Sequence, residues 1–188
     1  MDFRDESLAE GAALRVRRAG IPDARAIAEI VVAGWRGAYR GLMPDEFLDS
    51  LSVAGRETAW REMLARDSEG GLPAWLAQRD GRAVSFVSSG PPRDEDVPLS
   101  AAEVYAIYVL PEAWRGGVGR ALLETATGHW RARGTGTLVL WVLEGNDPAR
   151  RFYETMGWRL DGGRQLLEIA GAKLYEVRYR LGPIHPAG

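Results

Sequence analysis

The chain of 188 residues contains no cysteine, which excludes disulfides, thiolate zinc sites, iron–sulfur clusters and a cysteine nucleophile together. Histidine is almost as scarce. His129 and His185 are the two, so a multi-histidine metal centre lacks ligands and a Ser–His–acid triad would rest on one of them. Charge of one sign is also missing: 24 basic residues stand against 26 acidic ones, a formal net charge of −2. With no long basic run beside that balance, electrostatic nucleic-acid binding is disfavoured. The longest apolar runs, Val104–Leu110 and Leu138–Leu143, fall far short of the roughly 20 residues that span a bilayer, so no membrane partner is expected. Residues 1–13 carry Asp2, Asp5, Glu6 and Glu10 against a single Arg4. They lack the basic start and apolar stretch of a secretory signal and read as a mobile acidic tail. The expected compartment is the cytoplasm.

What is present is the balance of an ordinary globular protein, 46% hydrophobic and 27% charged, long enough for one domain with a proper core. Leu14–Arg18 alternates apolar and basic residues like a strand. Pro22 and Asp23 open a helix whose apolar positions Ile27, Ala28, Val31, Val32 and Trp35 follow helical spacing. A second helical region runs from Pro44 to about Arg66, with a break near Ser52–Gly55. Trp75–Gln78 and Ala83–Ser88 flank Asp80-Gly81, a strong hairpin signal. A polar turn at 90–96 precedes a third apolar strand, Glu103–Leu110, stopped by Pro111. A helix then covers Gly117–Arg133, followed by a strand at Thr137–Leu143. Asp147-Pro148 starts a short helix, with Asp147 expected as N-cap, and Gly157 ends it. Trp158–Leu160 and Leu174–Leu181 complete the chain as strands. The pattern predicts one α+β domain over 14–181, a mixed, mostly antiparallel sheet flanked by helices, with residues 182–188 as a C-terminal tail.

The segment Val109-Leu110-Pro111-Glu112-Ala113-Trp114-Arg115-Gly116-Gly117-Val118-Gly119-Arg120 joins a strand end to a helix through a glycine-rich turn. Such a turn lets a ligand approach the backbone. The first N–H groups of a helix lack intrahelical partners and carry partial positive charge, so they suit phosphate oxygens; Arg115 and Arg120 add full charges. A tight turn that merely needs glycine is the plainer reading. A P-loop is excluded because Gly-Lys-Ser/Thr is absent. A dinucleotide fingerprint fails because Leu122 stands at its third glycine, although Glu144 imitates the ribose-binding acid.

The turn and its flanks resemble motif A of the GNAT N-acetyltransferase superfamily, Gln/Arg-x-x-Gly-x-Gly/Ala, with Gly117 and Gly119 on the two small positions and Trp114 departing from the usual Gln or Arg. Asn146-Asp147-Pro148-Ala149-Arg150-Arg151-Phe152-Tyr153-Glu154-Thr155-Met156-Gly157-Trp158 resembles motif B, Asn-x-x-Ala-x-x-Phe-Tyr-x-x-x-Gly-Phe, departing only at Trp158. The resemblance covers roughly residues 14–181.

By spacing alone, Ala149, Phe152, Tyr153 and Met156 share one helix face, and Tyr153 is a core aromatic or a functional hydroxyl. The resemblance implies that Tyr153 protonates the departing coenzyme A thiolate. It implies that Glu103 removes the proton of the acceptor amine, directly or through water, and that Asn146 contacts the pantetheine arm. It further implies that acetyl-CoA is the co-substrate. On the same resemblance, the backbone of Tyr108, Val109 and Leu110 is expected to pair with pantetheine, and the pyrophosphate to dock on Arg115, Gly116, Gly117, Val118, Gly119 and Arg120. The Val109 N–H is then expected to polarise the thioester carbonyl. Trp35 and Tyr39 stand on one helix face, beside the loop that borders the acceptor pocket in the family, while Trp60 and Trp75 read as packing and His129 as a surface residue. The implied activity is direct acetyl transfer to a primary amine on a small molecule or peptide, without a metal, and a homodimer is left open. A non-catalytic acyl-CoA sensor on the same fold and a nucleotide-binding oxidoreductase are the alternatives.

Overall fold

A computed structural model describes residues 13–67 and 73–182. The acidic segment therefore lies outside the described residues except for Ala13, and so does the tail that holds His185 except for Gly182. Seven strands form one sheet in the order β1-β2-β3-β4-β5-β7-β6: β1 Leu14–Arg18, β2 Ala74–Arg79, β3 Arg82–Gly90, β4 Ala102–Val109, β5 Leu138–Leu143, β6 Arg159–Ile169 and β7 Ala172–Leu181. Among the described residues five α-helices accompany it: α1 Ala24–Ala38, α2 Asp45–Ser50, α3 Val53–Asp67, α4 Val118–Arg131 and α5 Asp147–Thr155. The break expected near Ser52 is real and separates α2 from α3.

Alternation along the strands splits the core into two layers. Leu76 and Phe86 point to one face, where they bury Ile27 and Val31 of α1 and Trp60 and Leu64 of α3. Trp75, Val87 and Leu140 point to the other, against Val118 and Leu122 of α4 and Tyr153 of α5. Each fully buried branched side chain contributes about 1.5–3 kcal/mol, so the helical stripes read from the sequence are what hold the helices to the sheet. Asp80 and Gly81 (φ 51° and 76°) turn the β2–β3 hairpin in the left-handed region, as the Asp-Gly pair requires.

Two expectations are corrected. The side chain of Asn146, not Asp147, caps α5, its amide oxygen accepting the Ala149 N–H at 3.2 Å. Helices prefer whichever side chain reaches back to their third N–H, and Asn146 is the residue that does. The β6 strand is also far longer than the predicted Trp158–Leu160, running to Ile169 and returning through a turn at Ala170-Gly171. Its exposed polar residues hide the alternation, and its pairing with β7 supplies the order.

All neighbouring strands pair antiparallel except β4 and β5, which run parallel over Ala102–Val104 and Leu138–Leu140. Beyond Val104 the two strands pair no further, so a wedge opens in the sheet. A bulge opposite Ser88/Ser89 inserts Tyr105 into β4. Because of that extra residue Val104 and Ile107 both pack on the α4 side, while Ala106 and Tyr108 turn to the α1 side. Among the described residues no helix is long and apolar enough to cross a membrane.

Candidate active site

The wedge is lined by an unpaired strand edge. The Leu110 N–H donates to the Val84 carbonyl across β3 at 2.9 Å, and antiparallel alternation then directs the main chain of Tyr108 to β3 and that of Ile107 and Val109 into the gap. Of the three residues expected to present their backbone there, Val109 does. The Tyr108 carbonyl accepts from the Ser85 hydroxyl (2.7 Å) and the Leu110 carbonyl from the Ala113 N–H (2.9 Å). Ile107, which the sequence reading missed, joins Val109. The Val109 carbonyl already accepts the Trp114 indole N–H at 2.9 Å. Trp114 itself lies against Gly37 of α1 and remains half exposed, so this tryptophan braces the turn onto α1.

At the mouth of the wedge stands the N-terminus of α4. Gly117 occupies its cap position with φ +75°, and no side chain caps the helix. The first intrahelical bond runs from the Ala121 N–H to the Gly117 carbonyl (3.0 Å), which leaves the N–H groups of Val118, Gly119 and Arg120 as the orphan donors of the first turn. Arg115 and Arg120 are exposed beside them, Arg120 in a loose pair with Glu124 at 3.6 Å. A third guanidinium was not anticipated: Arg79, at the end of β2, donates to the Gly116 carbonyl at 3.3 Å. Only the β2–β3 hairpin's position beside β4 brings it there, which no local sequence signal reveals.

Three phenols converge on the gap. Tyr39, at the end of α1, approaches Tyr108 of β4 with the hydroxyls 3.4 Å apart. Gly34 permits this, since a Cβ there would come within 3.0 Å of the Tyr108 ring. Tyr153 reaches in from α5 on the other side, near enough to act on Tyr108 and to be acted on by Tyr39. Burial pushes all three phenols above their ordinary value, and the neighbouring Tyr39 adds to the shift at Tyr153. All three are therefore protonated donors at neutral pH. The Tyr153 hydroxyl makes no hydrogen bond among the described residues, although its ring is buried against Phe152, Trp158 and Tyr179. Trp35 packs edge-on to Tyr39 at 5.4 Å and its buried indole N–H finds no partner among the described residues.

Glu103 lies at the closed end of the wedge, on β4 one residue before the last pair with β5, and is fully buried. Its carboxylate accepts the Arg93 main-chain N–H (2.9 Å) and Nε (3.0 Å) and is also bonded to the Arg93 Nη2. The pairing raises the Arg93 guanidinium above its ordinary value. The polar turn at 90–96 carries that arginine. Asp94 accepts the Trp141 indole N–H (2.9 Å), and Asp94 and Asp96 both pair with the buried Arg178 of β7. Asp161 holds Arg178 and Arg180 from the β6 side. Asn146 is buried and spends its amide oxygen on the α5 cap. Glu144 pairs with Arg164 at 2.9 Å on the surface. Trp60 and Trp75 are buried, as expected, and His129 sits half-buried against the Trp75 ring rather than free on the surface.

A seven-stranded mixed sheet with a parallel wedge, a helix N-terminus at its mouth and a buried carboxylate at its tip defines an acyl-CoA N-acyltransferase fold. The chain belongs to the acetyltransferase (GNAT) family, which matches it over residues 32–158, and it is an N-acetyltransferase. It is 34% identical over 163 residues to an uncharacterized N-acetyltransferase of Bacillus subtilis, YuaI, covering 86% of this chain and 89% of that one. It is 28% identical over 178 residues to a probable N-acetyltransferase of Mycobacterium tuberculosis, covering 93% and 97%. Among solved structures it resembles a PaiA N-acetyltransferase from Thermoplasma acidophilum in complex with coenzyme A, with a TM-score of 0.70, 18% identity and coverage of 88% and 98%. A putative acetyltransferase from Salmonella typhimurium with acetyl-CoA gives a TM-score of 0.67 at 24% identity, covering 93% and 97%. These likenesses show the shared fold. Membership of the family sets aside the oxidoreductase alternative and makes the reaction an acetyl transfer to an amine acceptor.

Proposed function

We propose that residues 14–181 form one acetyl-CoA-dependent N-acetyltransferase domain working by direct transfer. The observation that carries the reading is the parting of β4 from β5 after Val104 with an uncapped helix N-terminus at its mouth. The pyrophosphate of acetyl-CoA is held by the first-turn N–H groups of α4 with Arg115 and Arg120, because orphan amides and the helix dipole suit an anion. The pantetheine arm lies along the open edge at Ile107 and Val109, where the Val109 N–H polarises the thioester carbonyl. Asn146 borders the arm with the amide group its capping bond leaves over. Trp35 and Tyr39 wall the acceptor side. The amine nitrogen attacks the carbonyl carbon, the C–N bond forms and the C–S bond breaks. Glu103 takes the proton the amine loses, directly or through water, and Tyr153 gives its proton to the thiolate. Neither a covalent acyl-enzyme nor a metal is required. The compartment that goes with acetyl-CoA as co-substrate is the cytoplasm.

Saturating acetyl-CoA is expected to stabilise the protein while NADH and ATP do not. At a hundredfold excess over Kd the linkage term is about 2.7 kcal/mol, which for a domain of this size raises Tm by about 5–11 °C. Differential scanning fluorimetry with the three ligands checks this, and equal melting temperatures overturn the co-substrate assignment.

The helix terminus makes a separate prediction. Gly117 has open space around its α-carbon but a left-handed φ of +75°, so Gly117→Val is strained and also covers the amides. A Cβ at Gly119 would only touch Phe152 and Val109 at 3.5 Å, so Gly119→Ala is tolerated by the fold. Gly117→Val is expected to lower Tm by a few degrees, consistent with a strain of about 1–2 kcal/mol, and to weaken acetyl-CoA binding in calorimetry by at least about tenfold, the loss of one charge-assisted contact. Unchanged affinity in a folded variant contradicts the phosphate cradle.

A further inference from the structure

On the α1 side of the sheet, beneath α3, lies a cavity of about 460 Å³. Tyr105 and Ala106, the first residues of β4 beyond its pairing with β5, line it, and Arg93, which holds Glu103, forms part of its wall. The cavity is thereby tied to the proposed base through Arg93 and to the proposed acceptor wall through Arg56, whose guanidinium lies over Trp35. Its size falls within the range of small-ligand pockets and accommodates one amino acid with water, not a folded protein surface.

The chemistry of the wall is selective. Trp60, Met63 and Leu64 of α3 offer an apolar surface, continued by Ala74 and Ala106 of the sheet. Among the described residues, the charged side chains lining the cavity are two arginines, Arg56 and Arg93. Arg93 is committed to Glu103. Arg56 has no carboxylate partner among the described residues; its guanidinium lies over the Trp35 ring at 5.0 Å. The acid next to it in sequence, Glu57, pairs with Arg25 and Arg61 instead. A half-buried cation over an aromatic face, beside an apolar cavity and with no counter-charge among the described residues, is the arrangement that a ligand carboxylate completes. A polyamine would bring further positive charge to two guanidinium groups, and a plain hydrophobic amine would leave Arg56 unpaired.

We propose that the acceptor is an apolar amino acid, its side chain against Trp60, Met63 and Leu64 and its carboxylate on Arg56. This substrate class rests on the acetyltransferase reading and narrows it.

The test is a matched series: leucine, methionine and phenylalanine, their carboxamides and their decarboxylated amines, with acetyl-CoA at saturation. Rates are compared per concentration of free amine, because carboxamides lose the ammonium proton at lower pH than the parent amino acids. The amino acids are expected to exceed both analogues in kcat/KM by about ten- to a hundredfold, the worth of a charge-assisted contact to one guanidinium, chiefly through KM. Arg56→Met is expected to erase that preference and Arg56→Lys to keep part of it. A retained thermal shift with acetyl-CoA shows that each variant is folded. Carboxamides or plain amines turned over as well as amino acids, or a preference that survives Arg56→Met, overturn the substrate class alone. Acetyl-CoA binding without acetylation of any amine overturns the transferase reading together with it.

Discussion

Tyr153→Phe is expected to lower kcat by about ten- to a few hundredfold, the lower part of what general acid catalysis supplies, while leaving stability and acetyl-CoA affinity near those of the parent. The structural half follows from what the hydroxyl does not do. It makes no hydrogen bond among the described residues, and the ring contacts with Phe152, Trp158 and Tyr179 survive the substitution. The catalytic half follows from the proton. Burial raises the phenol above its ordinary value near 10, so it stays protonated through the working range and can give its proton to the thiolate as the C–S bond breaks. Coenzyme A is a fair leaving group unassisted, which holds the loss to the low end. The sign of the shift adds a control: the phenol deprotonates only above pH 10, so the tyrosine contributes no alkaline fall in kcat below that pH. Single-turnover rates against pH for both proteins measure this. Equal rates while chemistry is limiting make Tyr153 a packing residue and water the donor.

Sequence and structure agree best where the signal is local. The helix faces of α1 and α4 follow from apolar spacing, the β2–β3 hairpin from Asp80-Gly81, and the uncapped start of α4 from the three glycines after Trp114. Tyr153 lies in a segment that resembles a known motif and Glu103 is reached only through its strand position in the resembled family; the fold sets Glu103 at the closed end of the wedge and Tyr153 on α5 beside it. What escapes is what only tertiary pairing creates. Which carbonyls of β4 face the gap depends on its register with β3, so Ile107 stays hidden and Tyr108 and Leu110 are drawn to the wrong side. The bulge at Tyr105 leaves no local mark, yet it decides which β4 side chains face α1 and which face α4. The turn at 90–96 looks like a solvated loop. Its acids instead clasp Arg178, 84 and 82 residues away in sequence, and this places Arg93 on Glu103. Arg56 and Arg79 belong to the same class, ordinary helix and strand-end arginines until the chain folds around them.

Glu103→Gln is expected to reduce kcat/KM at neutral pH by about a hundredfold, within the range of general-base assistance, and to recover part of the loss as pH rises. An acceptor ammonium whose pKa lies well above 7 is almost wholly protonated at pH 7; as free amine accumulates at higher pH, an enzymic base matters less and the gap to the parent narrows. A structural cost accompanies the change. Both carboxylate oxygens accept from Arg93, one of them the main-chain N–H, so either orientation of the amide sets an N–H₂ group against a donor. Losing that acceptor in a buried site costs about 1–3 kcal/mol. Arg93 itself is 63% exposed and can return its charge to water. The variant is therefore assayed well below its Tm, and the diagnostic quantity is the ratio of parent to variant activity across pH. A ratio that falls as pH approaches the acceptor's own pKa identifies Glu103 as the group that removes the amine proton. A ratio that stays constant means the carboxylate only anchors Arg93 and the 90–96 turn, and the amine must then lose its proton elsewhere.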